Sequence, residues 1–155
     1  MMATRGLRRP AGSRARLAAW TGLLIFAAAA CHETDNGPPP MRLWTDDLAF
    51  QVSADPVPPP AREDIVFKVV VRDKKSGQAI ESGEGRIYAQ SQDGIRTWDG
   101  LIPGKKPGTY TGKLNFLTSG NWAMGLQFRR DSTRSIEQLD WTQTVMAASG
   151  EVPIR

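Results

Sequence analysis

Apolar side chains recur at every second position along most of this chain, and that spacing restricts it to β structure. Ile65, Phe67, Val69 and Val71 alternate with Val66, Lys68, Val70 and Arg72, and Leu48, Phe50 and Val52 alternate with Ala49, Gln51 and Ser53. Successive side chains of a strand point to opposite faces, so each run buries one face and wets the other. Residues 85–90 form a further strand, and Leu139, Trp141 and Val145 mark a last one reaching Ala147. Between them, Thr109 to Arg129 predicts a hairpin closed by Leu117 to Asn121. In it Phe116, Leu114, Gly112 and Tyr110 face Trp122, Met124, Leu126 and Phe128, and a one-residue slip would turn the second set to water. Gly112 leaves room for a close neighbour there. Pro56, Pro58, Pro59 and Pro60 separate the first two strands, and prolines do not pair in a regular ladder. Ser91 to Gly108 holds Asp93-Gly94, Asp99-Gly100, Pro103-Gly104 and Pro107-Gly108 and reads as mostly loop. These elements predict an all-β fold, an immunoglobulin-like antiparallel β-sandwich of about seven strands, over residues 43–148. A small β-barrel is the alternative closure.

The N-terminus is of another kind. Arg5, Arg8, Arg9, Arg14 and Arg16 precede an apolar run from Leu17 to Ala30, which ends in Ala28-Ala29-Ala30-Cys31. A basic segment, a short apolar segment and small residues before a cut are the parts of an export signal. The run falls short of the ~20 residues a transmembrane helix needs. Residues 1–30 therefore read as a signal peptide, helical within the apolar run. Cys31, the single cysteine, reads as the site of lipidation, although Ala28 stands where a lipobox usually has Leu. An ordinary secretory signal cut after Ala30, or an uncleaved anchor, is the competing reading. Residues 31–42 carry Pro38-Pro39-Pro40 and read as a disordered, extended tether, and residues 149–155 as a tail. The protein is thus expected in the bacterial cell envelope, held to the membrane by lipid on Cys31 and facing the periplasm or the exterior.

Lipidation also accounts for an odd cysteine in an exported chain and leaves the domain without disulfides. It changes the charge as well. The 20 Lys+Arg less the five signal arginines leave 15 against 16 Asp+Glu, a net charge of −1, so the basic balance reflects targeting and no nucleic-acid partner is expected.

Catalysis finds no set of residues. The only histidine, His32, lies in the tether, so no Ser-His-Asp arrangement can form in the domain. Asp46-Asp47 and Glu63-Asp64 are adjacent pairs whose side chains diverge on a strand. Soft metal ligands after the cut are His32, Met41, Met124 and Met146, which are scattered in sequence, so neither a metal site nor a cofactor is expected. Among the aromatics, Trp122 and Trp141 fall in strand patterns. Trp98 falls in the turn-rich segment, and with Asp99, Lys105 and Lys106 it forms the candidate binding loop for an envelope protein partner.

Pro107-Gly108-Thr109-Tyr110-Thr111-Gly112-Lys113-Leu114-Asn115-Phe116, followed by Ser119-Gly120-Asn121-Trp122, resembles the closing hairpin of the YtkA-like domain family, with its Gly-x-Tyr, strand and Gly-x-Trp. The strand Ile65 to Arg72, with Asp73 and Gly77 after it, is similar to that family's opening strand. The resemblance spans residues ~48–130 and rests on structural motifs. It implies an immunoglobulin-like sandwich related to FixH-like proteins, often exported, with copper handling or oxidase assembly among its roles. The methionine-rich stretch of many members has no counterpart: Gln90 to Lys106 contains neither Met nor His, and Leu117 and Thr118 stand where another Met is common.

Overall fold

The structure, a computed structural model, describes residues 37–148. The signal segment, Cys31, the tether as far as residue 36 and the tail lie outside the described residues. Gly37 to Pro40 are exposed and belong to no strand. Nine strands follow: β1 (Met41–Trp44), β2 (Leu48–Asp55), β3 (Asp64–Asp73), β4 (Glu84–Ser91), β5 (Arg96–Gly100), β6 (Ile102–Pro103), β7 (Thr109–Asn115), β8 (Gly120–Arg129) and β9 (Glu137–Val145). They form a β-sandwich of two antiparallel sheets, ordered β1-β2-β3-β7-β6 and β5-β4-β8-β9.

The alternation places the core as expected. Phe67, Val69, Leu114, Trp122 and Phe128 are all buried, from one sheet and from the other. Aromatic rings meet edge to face between the layers: Phe50 with Phe128 at 5.8 Å, Tyr110 with Phe128 at 5.1 Å, and Phe116 with Trp122 at 5.2 Å between centroids. Met124 is a core side chain. Trp141 is half-buried and packs against the core from the edge strand β9.

The expected hairpin is not one. β7 pairs with β3 and β6, whereas β8 pairs with β4 and β9, so the chain crosses between sheets after Asn115. Two of the expected partners do meet, Phe116 with Trp122 and Tyr110 with Phe128. They meet through the sandwich interior, where facing sheets lie ~10 Å apart, rather than along a ladder. Inward parity is the same in both arrangements, which is why the pattern does not separate them. Gly112 admits close neighbours, but they are Ile87 and Leu101: a Cβ on it would lie 2.9 Å from Ile87 Cγ2 and 3.2 Å from Leu101 Cδ2.

Two boundaries also move. Met41 and Arg42, read as tether, pair with Val52 and Gln51 in β1. Ser91 to Gly108 is mostly outside strands, as expected, but it also contains β5 and β6. The Asp99-Gly100 pair does not reverse the chain. It carries the chain from one sheet to the other through buried Leu101, whose N–H donates to the Gly85 carbonyl at 2.8 Å. The count rises from about seven strands to nine because these short edge strands lack a long alternating run.

The proline segment links the sheets at one end. Ala61 N–H donates to the Met146 carbonyl and Met146 N–H to the Pro59 carbonyl, both at 2.9 Å, while Arg62 N–H donates to the Phe116 carbonyl at 2.7 Å. Near β6 the Tyr110 hydroxyl, buried, donates to the Ile80 carbonyl at 2.6 Å and accepts from Gly83 N–H at 3.0 Å. Burial, foremost, raises its pKa.

Candidate functional site

The register of the four-stranded sheet brings residues far apart in sequence onto one outer face. Trp98 of β5 stands opposite Tyr88 of β4, Tyr88 opposite Gly125 of β8, and Gly125 opposite Asp140 of β9. The neighbouring row runs Gly100, Arg86, Gln127 and Gln138. Trp98 is 69% exposed, the most of any large hydrophobic side chain among the described residues.

Gly125 makes this face possible. The Tyr88 ring lies on it, so that a Cβ at position 125 would collide with the ring and hydroxyl. Laid over the glycine, the Tyr88 hydroxyl reaches the Asp140 carboxylate. Desolvation first, and then the charge of Asp140, raise the Tyr88 pKa and keep the phenol protonated as a donor. The Arg86 guanidinium sits 5.9 Å from the centroid of the same ring, within cation–π range.

The polar groups around Tyr88 close into a circuit. Arg86 Nε donates to Gln127 Oε1 at 2.8 Å, and Gln127 Nε2 to Gln138 Oε1 at 3.0 Å. Gln138 Nε2 donates to both oxygens of Asp140 at 3.2 Å, and the Tyr88 hydroxyl lies beside that carboxylate. Each planar group is thereby held in orientation while its other valences face solvent. Beside the circuit lies an open depression lined by Tyr88, Gln90, Asn121, Ala123, Asp140 and Thr142. The small side chains of β8 leave that space between the flanking strands.

The four residues of the candidate binding loop do not form one loop. Trp98 and Asp99 belong to strand β5, and Lys105 and Lys106 to the turn between β6 and β7 in the other sheet. Asp99 is committed to the fold: Oδ2 accepts from Lys113 N–H at 2.7 Å and Oδ1 from Gly100 N–H at 2.9 Å, extending the β7 edge where β6 ends. The exposed turn of Lys105 and Lys106 is held by Gly104 N–H donating to the Thr109 carbonyl at 2.7 Å.

A second concave region, at one end of the sandwich, includes Trp44, Asp46, Asp47, Asp73, Arg130 and Glu137. Asp73 and Arg130 pair with each other there, while Glu137 Oε2 is buried without a hydrogen-bond partner. Asp73 Oδ1 accepts from Ser76 N–H at 2.7 Å, Ser76 Oγ at 2.9 Å and Lys75 N–H at 3.0 Å, and Oδ2 pairs with Arg130 at 2.7 Å. These bonds, led by that from the Ser76 backbone, hold the Asp73 carboxyl well below the usual carboxylate range. Asp64, of the other sequence-adjacent acidic pair, accepts from Asn115 and Lys113 at 3.2 Å each.

Soft ligands do not converge. Met124 is in the core, Met41 is half-buried on β1, and Met146 follows β9 with its side chain exposed. No group of three or more His, Cys, Asp or Glu that could hold a metal ion occurs among the described residues. Among the described residues the thioethers that copper(I) takes are therefore not brought together.

Tyr88, Gly125, Gln138 and Asp140 were absent from the sequence-derived site. Gly125 and Asp140 fall on the outward parity of their expected strands, but which strands lie side by side was not visible.

No protein-family model matches the chain, and no curated protein does. Solved structures do. A DUF4426 family protein from Pseudomonas aeruginosa superposes with a TM-score of 0.54 at 11% identity, covering 68% of this chain and 96% of that one. A copper-bound variant of FetP from uropathogenic Escherichia coli superposes with a TM-score of 0.51 at 10% identity, covering 76% of this chain and 98% of that one. At such identity the likeness is one of fold.

Proposed function

We propose that this is a lipid-anchored cell-envelope binding protein, without catalytic activity, that engages its partner through the outer face of the β5-β4-β8-β9 sheet. Export and lipidation at Cys31 follow from the basic, apolar and small-residue segments before it, and Pro38 to Pro40 then serve as a spacer. A location in the periplasm or on the cell surface accords with this signal. The observation that carries the binding role is Trp98, 69% exposed beside a Tyr88 whose ring and hydroxyl are held in place. Large aromatic side chains with few rotatable bonds anchor interfaces at low entropic cost.

Fractionation of cells expressing the full chain tests the anchor. The parent protein is expected in the membrane fraction, and Cys31→Ser in the soluble fraction or as unprocessed precursor. A processed Cys31→Ser protein that stays on membranes would refute lipidation. A photo-cross-linking residue at position 98 tests the face. It is expected to capture envelope material that the same residue at Lys68, on the outer face of the other sheet, does not.

Copper handling is the second reading. It draws on the YtkA-like resemblance and on the fold shared with the copper-bound FetP variant. Titration of the full-length protein with Cu(I) under reducing conditions decides it: one-to-one tight binding, lost on substitution of Met124 and Met146 together, would make it the leading reading.

A further inference from the structure

We infer that the outer face centred on Tyr88 and Trp98 is a saccharide-binding platform, its ligand an oligosaccharide chain. The inference rests on the binding-face reading above and names the ligand class. Three observations carry it.

The first is the chemistry of the face. No Leu, Ile, Val, Met or Phe points outward from the four strands. Apart from Ile136, exposed just before β9 beside Arg86 and Gln127, its large apolar side chains are aromatic, and the rest is amide, guanidinium, hydroxyl and carboxylate. A protein interface centres on a well-packed apolar core. A pyranose instead presents a flat patch of C–H groups on one face and a rim of hydroxyls, each both donor and acceptor. Aromatic rings match the patch, and planar side-chain groups match the rim.

The second is preorganisation. Arg86, Gln127, Gln138, Asp140 and Tyr88 hold one another by hydrogen bonds of 2.8–3.2 Å and by the Tyr88–Asp140 contact. A solvated ligand with many hydroxyls gains only the difference between site and water, so a site that binds it must not also bear the cost of ordering its side chains. The adjoining depression floored by small β8 residues gives room for a ring beside Tyr88.

The third is charge. Arg86, Arg96 and Arg129 stand against Glu84 and Asp140, a net charge of only +1, with Arg129 paired to Glu84 and the other two bonded to neutral amides. The face has no single-sign field of the sort that captures nucleic acid or another polyanion.

The test is calorimetric titration of the detergent-purified full-length protein with chitohexaose, cellohexaose and mannohexaose, together with co-sedimentation with insoluble peptidoglycan sacculi. Binding to at least one probe is expected. Trp98→Ala and Asp140→Ala should each weaken it about tenfold or more, in keeping with the loss of a central anchor. Trp98→Phe should restore most of it, and Lys105→Ala, on the other sheet, should bind like the parent. Thermal melting of every variant should match the parent, separating lost contact from lost fold. Absence of binding to all four probes overturns the inference, as does binding that Trp98→Ala leaves unchanged. If the sugars fail while position 98 still cross-links an envelope protein, the saccharide assignment falls and the binding-face reading stands. If neither sugar nor cross-linked material is found, both fall.

Discussion

The two tyrosines of this chain occupy opposite kinds of place. Tyr110 lies in the interior with its ring against Phe128, its hydroxyl spent on Ile80 and Gly83. Tyr88 lies on the outer face with its ring over Gly125 and its hydroxyl beside the Asp140 charge. Both have raised pKa values, and burial is the leading cause for each. What differs is what the hydroxyl ties together. In the interior it fixes a connection to the end of the sandwich, so losing it costs the fold. On the outer face it orients a surface, so losing it costs whatever that surface holds. A buried polar group and an exposed, ordered one can thus look alike in titration and serve different ends.

The largest effect expected from this contrast concerns tryptophan. Trp122 is buried, packs on Phe116 and donates its indole N–H to the Thr118 carbonyl at 3.0 Å. Trp122→Ala should destabilise the domain by about 3–5 kcal/mol, as large aromatic truncations do. Trp98→Ala should change stability by no more than about 0.5 kcal/mol, as exposed substitutions do. Urea denaturation compares the two, and equal losses would break the division between interior and platform.

Next come the tyrosines themselves. Tyr110→Phe leaves a buried carbonyl and a buried N–H without their partner and should cost about 1–3 kcal/mol. Tyr88→Phe should stay within about 0.5 kcal/mol. The reverse order would place the structural role on the outer face.

Acid should loosen the turn after β3. The Asp73 carboxyl is held below its ordinary value of 3.8. A group with a depressed folded-state pKa lends stability that is present above the unfolded-state value and is lost as pH falls through the folded-state one. Asp64 and Asp131 shift in the same direction, Asp64 chiefly through Asn115 and Asp131 chiefly through the Thr133 side chain. Stability should therefore decline as pH drops below about 4. Asp73→Asn should make that decline shallower, which denaturation across a pH series would detect.

The smallest effect is spectroscopic. Asp140→Asn removes one of the influences that raise the Tyr88 pKa, so Tyr88 should titrate nearer 10.0 while Tyr110 stays unchanged. Ultraviolet titration of the two phenols resolves this, and movement of Tyr110 instead would contradict the assignment of Asp140 to the outer face.

Much of the interior was legible in the sequence, because burial of one face demands alternation. Phe67, Val69, Trp122 and Phe128 were placed by parity alone. The platform was legible only in fragments. Trp98 was identified as the exposed aromatic from its turn-rich surroundings, yet Asp99 beside it proved to be a backbone cap for Lys113, and Lys105 and Lys106 fell on the other sheet. Tyr88, Gly125 and Asp140 are separated by 37 and 15 positions in the chain, and nothing local marks them as neighbours.

By itself the sequence determined the long strands and which side of each is buried, and it carries the layout of an export signal ahead of its single cysteine. These follow from local rules: the pleat, the turn pairs and the layout of a signal. Only the tertiary structure decided that β7 and β8 belong to different sheets and that β4, β5, β8 and β9 lie side by side. Pairing across a ladder and facing across a core satisfy the same inward parity. The choice between them is made by how whole sheets stack, and with it the register that sets Trp98, Tyr88, Gly125 and Asp140 in one row.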